Sequence, residues 1–380
     1  MITIIIILLL FVSLFEAGRI CAHRIFDRYY GLLDVRSGEL SDNIPDTENL
    51  VSDKLSVKVA DPSEIVNLDY SAAINHTKRL TFPDKYETDT IDILLLGNDS
   101  RGHDYKSRSD VMILLSVNTK EKTATLTSIM RDTMVEIPGY QNHRLNQAFE
   151  WGGTELLLET IKENYGIVPD AVAMVNFDAM ETIINFFGGI YVTLTEDEIA
   201  TMNRYYIIEL NRLAGEADEK KDLIDVGSVG ELQLLNGRQA LAYIRVRYTD
   251  GYEAGRNARQ RELIQLLAQQ MKTWDVETAD RFAREIFPLI RTNISKELCK
   301  QLAAELVYFR DYTIESARIP TEAATLSGDV IRENYFFTID FDESLQQYQD
   351  TVNRKGTYNA KEKSVGFKML AWLWRKLWQQ

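Results

Sequence analysis

The stretch 91–132 restricts the fold more than any other part of the chain, because three short apolar runs are joined there by charged residues. The runs cover 91–96, 111–117 and 123–129, and their joins carry Asn98-Asp99-Ser100-Arg101-Gly102, Arg108-Ser109-Asp110 and Arg131-Asp132. Runs of this length, rich in Ile, Leu and Val and bounded by turn residues, predict buried strands. In an up, down, up meander, the end of the first strand, the start of the second and the end of the third share one sheet edge. Asp99, Arg108, Asp110, Arg131 and Asp132 then gather at that edge. Carboxylates suit a hard divalent cation, and guanidinium grips phosphate with paired donors. Plain ion pairs capping strand ends would use the same residues, so spacing alone leaves both readings open.

Farther on, apolar spacing predicts a helix over 154–165, ended by Gly166 and Pro169, and then a strand over 171–177. Asp178 is placed to cap a helix over 179–187, with Glu181 at the capping-box position and Gly188-Gly189 as its stop. A strand over 190–194 follows. Strand and helix alternate, so the expected class is α/β, a mixed central sheet flanked by helices. The charged stretch 195–230 reads as an irregular surface excursion. Beyond it lies an arginine block. Where that block is extended, Arg245 and Arg247 share a face. Arg256, Arg259 and Gln260 fall on one face of the first turn of a helix whose core stripe is Leu263, Ile264, Leu267 and Met271. Arginines at a helix N-terminus oppose its dipole unless an anion sits between them or acidic residues pair with them.

Charge narrows the partners. With a formal net charge of -14, the chain is a poor match for nucleic acid, and its arginines form local sites in an acidic protein. The two cysteines, Cys21 and Cys299, and four scattered histidines make no disulfide framework or zinc set. The loop 97–102 lacks the lysine and spacing of a P-loop.

Taken together, the motifs resemble the LytR-CpsA-Psr family of cell-envelope enzymes. The resemblance rests on Leu94-Leu95-Leu96-Gly97-Asn98-Asp99-Ser100-Arg101, Arg108-Ser109-Asp110, Ser128-Ile129-Met130-Arg131-Asp132 and Leu145-Asn146-Gln147-Ala148. Asn176-Phe177, Gly188-Gly189, Leu235-Asn236-Gly237, Ala240-Leu241-Ala242-Tyr243 and the arginine block from Arg245 to Gln260 complete it. It implies an α-β-α core outside the cytoplasmic membrane of a Gram-positive-type bacterium. The implied activity is Mg2+-assisted (or Mn2+-assisted) transfer of an anionic glycopolymer, such as teichoic acid or capsule, from undecaprenyl pyrophosphate to peptidoglycan. Asp99 and Asp110 would hold the metal. Arg108, Arg131, Arg144, Arg245, Arg247, Arg256, Arg259 and Gln260 would bind the pyrophosphate. Arg245, Arg256, Asp110 and Asp132 would carry the catalytic step, and Asp250 has a less defined acidic role. The chain departs from the family in having Met130 for proline and Arg144 for lysine.

The expected layout has a single-pass membrane anchor at 1–30, a stalk at 31–90, a catalytic domain at 91–345 and a basic, Trp-rich tail at 346–380. The anchor rests on the apolar run 2–15, which a signal peptide would also explain. The tail reads as an interfacial helix on an anionic membrane or as a helix docked on the domain. Helices around Leu156 and Ile183 are candidate walls for a polyprenyl groove. A non-catalytic binder of lipid-linked glycans and an envelope regulator of transcription are the rival functions.

Overall fold

All three apolar runs form strands in the computed structural model, which describes residues 28–35, 90–98, 108–140, 142–247, 249, 252–305, 312–321, 324–331 and 334–352. The run 2–15, most of the expected stalk, Asp99, Asp250 and the tail beyond 352 lie outside the described residues. Among the described residues no helix is long and apolar enough to cross a membrane. They fall into two compact units, one formed up to Ala179 and from Asp275 onward, the other by Met180–Trp274.

The first unit is built on seven strands: β1 (Asp34–Val35), β2 (Thr90–Asn98), β3 (Ser109–Asn118), β4 (Thr123–Ile129), β7 (Ala171–Asn176), β10 (Arg291–Thr292) and β11 (Thr313–Ile319). Their order is β1-β10-β7-β2-β3-β4-β11. Strands β2, β3 and β4 pair antiparallel as the expected meander, while β7 on β2 and β11 on β4 are parallel, so the sheet is mixed. Two small ribbons, β5 (Met134–Val135) with β6 (His143–Arg144) and β12 (Thr325–Ile331) with β13 (Asn334–Ile339), belong to the same unit. On the central strands, side chains of both faces are buried, Leu94, Leu96, Met112 and Leu114 on one and Ile93, Leu95, Ile113 and Leu115 on the other. Burial on both faces explains why these strands read as continuous apolar runs.

Two helices cover the first of those faces. Leu145–Tyr165 contributes Leu157, Ile161 and Tyr165 to the core, and Phe341–Val352 contributes Leu345, Tyr348 and Val352. The second of these helices runs across position 345. Leu145–Tyr165 is broken at Gly152 and Gly153, so its second half begins at Thr154, as the apolar spacing predicts. Gly153 has φ 63 and ψ -154, a conformation nearly restricted to glycine. Gly153→Ala is expected to lower stability by roughly 1–3 kcal/mol in chemical denaturation. An unchanged midpoint would count against this assignment.

From Asn176 onward the structure corrects three expectations. The helix Phe177–Phe186 begins before Asp178, and its cap is Asn176, whose side chain accepts from Ala179 N at 2.9 Å. Glu181 makes no capping box; it takes a two-bond fork from Arg238, at 2.9 Å for each bond. Strands β8 (Ile190–Thr193) and β9 (Leu232–Leu235) pair antiparallel. The supposed excursion after β8 is helical from Glu196 to Leu213, opened by a capping box between Thr195 and Glu198. Its middle, Met202–Ile207, is a π-helix. The buried residues Ile199, Met202, Ile207 and Leu210 are therefore spaced by three, five and three, which matches no single helical period. Finally, Gly237–Tyr243 is a helix with an Asn236/Gln239 capping box, and Ile244 and Arg245 form a turn. Arg245 and Arg247 do not share a strand face, because the capping box commits the preceding residues to a helix.

Candidate functional site

In the first unit, β2, β4, β7 and β11 all end at one edge of the sheet, and β3 begins there. The carboxyl ends of strands are where open α/β sheets bind ligands. The pairing of β2 with β3 shifts register between Gly97 and Asn98: Gly97 faces Val111, whereas Asn98 faces Ser109. Asp110 is therefore the extra residue of a bulge, a device that redirects a side chain at a strand end. Gly97 fits this close approach because a Cβ would lie 2.8 Å from that of Val111.

At this edge Arg131 is buried and pairs with Asp110; its Nε also lies 3.5 Å from Asp132 Oδ2. Arg144 approaches the other oxygen of Asp132, Nη1 to Oδ1, at 3.5 Å. Arg108 lies at the start of β3 and donates from Nε to Glu150 at 2.9 Å. The structure thus brings Arg108, Asp110, Arg131, Asp132 and Arg144 into one unit. Hard oxygen donors are present on Asp110 and Asp132, and Asn146 Oδ1 is buried without a hydrogen-bond partner. That donor chemistry fits a divalent cation. Among the described residues, which exclude Asp99, no group of three or more metal-type ligands forms.

Beside this cluster is an aromatic group that the sequence did not announce. Arg144 lies over Phe336 at 6.0 Å, Phe336 meets His143 edge-on at 5.8 Å, His143 lies 5.4 Å from Trp151, and Trp151 stacks on Tyr140 at 5.2 Å. Burial, and then the neighbouring Arg144 and Arg108, push His143 down from its ordinary 6.5 to about 4. The unfolded chain takes up a proton on this residue below about 6.5, whereas the folded chain resists until about 4. Stability is therefore full above that window and falls as pH drops through it. His143→Asn is expected to flatten the dependence of melting temperature on pH between 6.5 and 4; an unchanged slope would exclude His143 as its source.

The second unit holds the other arginines. Arg245 Nη2 lies 3.3 Å from Glu209 Oε2, and its guanidinium covers the Tyr206 ring at 5.2 Å. Arg256 is buried in an ion pair with Glu253, an acidic residue in the first turn of Tyr252–Met271. The dipole cost of the arginines is thus met in part from within the helix. Arg259 donates from Nη1 to Glu198 Oε1 at 3.1 Å and from Nη2 to the Val246 carbonyl at 2.6 Å. Gln260 donates to the Ile244 carbonyl at 3.4 Å. Arg259 and Gln260 therefore hold the turn that carries Arg245 and leads to Arg247. Glu198 also accepts from Thr195 N and Oγ1 at 3.0 and 3.2 Å, which joins its helix cap to this network. Tyr243 lies 5.8 Å from Arg259 and donates to Glu262 at 2.9 Å; burial and the nearby carboxylates push its hydroxyl pKa up, so it stays a donor. The Thr195-x-x-Glu198 spacing was the one sequence signal that could have found Glu198. The expected groove walls, Leu156 and Ile183, are both buried.

The fold is a mixed α/β sheet with carboxylates and arginines at the carboxyl ends of its strands. The model of the LytR_cpsA_psr family matches residues 55–354, and the chain belongs to that family. It is 33% identical over 190 residues to the polyisoprenyl-teichoic acid–peptidoglycan teichoic acid transferase TagT of Bacillus subtilis (strain 168), an alignment covering 49% of this chain and 54% of that protein. With the transferase TagU of Oceanobacillus iheyensis it shares 28% identity over 273 residues, 70% of this chain and 76% of that one. A solved structure of TagT bound to LI-WTA superposes with a TM-score of 0.52 at 25% identity, over 73% of this chain and 96% of that chain. The chain spans about half the length of the first two curated relatives it matches.

Proposed function

We propose that the protein transfers an anionic glycopolymer from a polyprenyl pyrophosphate carrier to peptidoglycan. The observation that carries this reading is the Asp110, Arg131, Asp132 and Arg144 cluster at the carboxyl ends of the strands. The transferase names of its relatives support it. On this reading the apolar run 2–15 anchors the chain in the cell membrane and its domain works outside the cytoplasm.

An acceptor sugar hydroxyl attacks the phosphorus that bears the glycan. The new bond joins that hydroxyl oxygen to phosphorus, the bridging phosphorus–oxygen bond breaks, and polyprenyl phosphate departs with the electron pair. Charge grows on the departing phosphate, and guanidinium groups fixed beforehand neutralise it without reorganising. Arg108, Arg131 and Arg144 in the first unit and Arg245, Arg247 and Arg256 in the second are assigned this role. Gln260 is assigned to a phosphate oxygen. The Arg259 fork is spent on Glu198 and Val246, so its contribution is to position the turn. Asp110, whose side chain is 20% exposed against 8% for Asp132, is the more reachable acceptor for the hydroxyl proton. Asp99 and Asp110 are the residues assigned to Mg2+ or Mn2+, which when bound supplies charge neutralisation at the phosphate oxygens.

The test is transfer of a lipid-pyrophosphate-linked glycan to peptidoglycan by the full chain with Mg2+. Arg245→Ala and Asp99→Ala are each expected to lower turnover by roughly 10²-fold or more. If both leave turnover unchanged, these residue roles are wrong. If the unaltered protein binds the lipid and never turns it over, it is a binding module.

A further inference from the structure

We propose that Tyr140, stacked on Trp151, is a binding subsite for an uncharged pyranose ring. This deepens the transferase reading and rests on it, because it names where the sugar next to the reacting phosphate is held.

Several contacts point to this use. Tyr140 is 45% exposed although its ring is stacked on Trp151 with 23° between the planes. Such a stack leaves the outer aromatic surface open to a sugar, whose axial C–H face is apolar and complements the electron-rich ring face. Glu150, next to Trp151 in the chain, and Arg108 lie close enough to His143 to act on its charge, and they supply hydrogen-bonding groups of the kind a sugar's equatorial hydroxyls need. Arg108 and Glu150 form a half-exposed pair, and Gln147 donates to the same oxygen of Glu150 at 2.6 Å. Both bonds fall on Oε2, which leaves Oε1 for a sugar hydroxyl or amide. An apolar floor with a few fixed polar groups is the usual make-up of a small-ligand site.

Two backbone features set the position. Glu150 and Trp151 are the last residues before the break at Gly152 and Gly153, so the first half-helix ends with these side chains at its tip. Tyr140 follows Gly139, which has φ 75, in the connection between β5 and β6. That ribbon ends in Arg144, and the aromatic row of Phe336, His143 and Trp151 leads from Arg144 to Tyr140. A sugar bonded to a phosphate at Arg144 would extend along a row that carries no cation at neutral pH, since His143 is neutral there.

The sugar could belong to the acceptor glycan or to the phosphate-linked donor, and two probes separate these sources. Triacetylchitotriose stands for the first and N-acetylglucosamine 1-phosphate for the second. Binding of each is measured by saturation-transfer NMR and calorimetry on the full chain in detergent, with inorganic pyrophosphate titrated in parallel. At least one sugar probe is expected to bind. Tyr140→Ala is expected to weaken it about threefold to tenfold, the loss of one aromatic contact, while Tyr140→Phe stays near the unaltered protein and pyrophosphate binding is unmoved. Which probe responds identifies the source. Equal sugar binding by Tyr140→Ala overturns the subsite. So does failure of the unaltered protein to bind either sugar while still binding pyrophosphate, and in that case the transferase reading stands. Failure to bind pyrophosphate removes that reading, and the chitotriose titration still judges Tyr140.

Discussion

Arg131→Ala is expected to cost about 3 kcal/mol of stability and most of the protein's affinity for pyrophosphate. Arg131 is 6% exposed and stands between two carboxylates, paired with Asp110 and 3.5 Å from Asp132. Removing it leaves both acids in a partly buried place. Asp132 keeps only the 3.5 Å approach of Arg144, and Asp110, more exposed, recovers some hydration. For that reason the loss falls at the lower end of what breaking a buried pair costs. Part of the cost comes from the carboxylate charge that loses its arginine, so Asp110→Asn added to Arg131→Ala should recover some of the stability and none of the anion binding. Urea denaturation and pyrophosphate titration on the two variants check this. A single variant as stable as the parent, or a double variant that regains binding, would rule out the role assigned to Arg131.

Arg259→Ala is the second large effect, and it acts without Arg259 touching the ligand. Its guanidinium reaches Glu198, which in turn closes the Thr195 cap, and it reaches the carbonyl of Val246, between Arg245 and Arg247. The alanine variant strands a buried carboxylate and frees the turn, so a loss of roughly 3 kcal/mol and a weakened anion affinity are expected together. Lysine should not rescue it, because a single ammonium cannot replace a planar fork directed at two acceptors. Glu198→Gln keeps a hydrogen-bonding side chain at the cap and removes only the charge, so it should lose less than Arg259→Ala. An Arg259→Lys variant matching the parent in both denaturation and pyrophosphate titration would refute this positioning role.

The central part of the fold could be read directly from the residues. Strands buried on both faces must be apolar throughout, so 91–96, 111–117 and 123–129 stand out locally, and the tight turn 118–122 with the polar loop 97–110 leaves a meander as the simple arrangement. The gathering of Arg108, Asp110, Arg131 and Asp132 follows from that meander alone. The second unit was harder, because its signals conflict. A π-helix shifts the phase of the apolar residues in Met202–Ile207, and the charged residues around them resemble a loop. Glu181 fits a capping box by spacing but is taken by Arg238, a partner 57 positions away.

By itself, then, the sequence determined the α/β class, the meander and the edge at which its charges meet, since each depends on periodicity and on residues near one another in the chain. Only the tertiary structure decided which arginine holds which acid, that Arg259 supports a turn, and that Phe336 joins His143, Trp151 and Tyr140 in one row. Those contacts link residues up to 193 positions apart in the row and 61 between Arg259 and Glu198. No local pattern encodes such pairings, because burial and geometry select among many acids and aromatics that the sequence leaves equivalent.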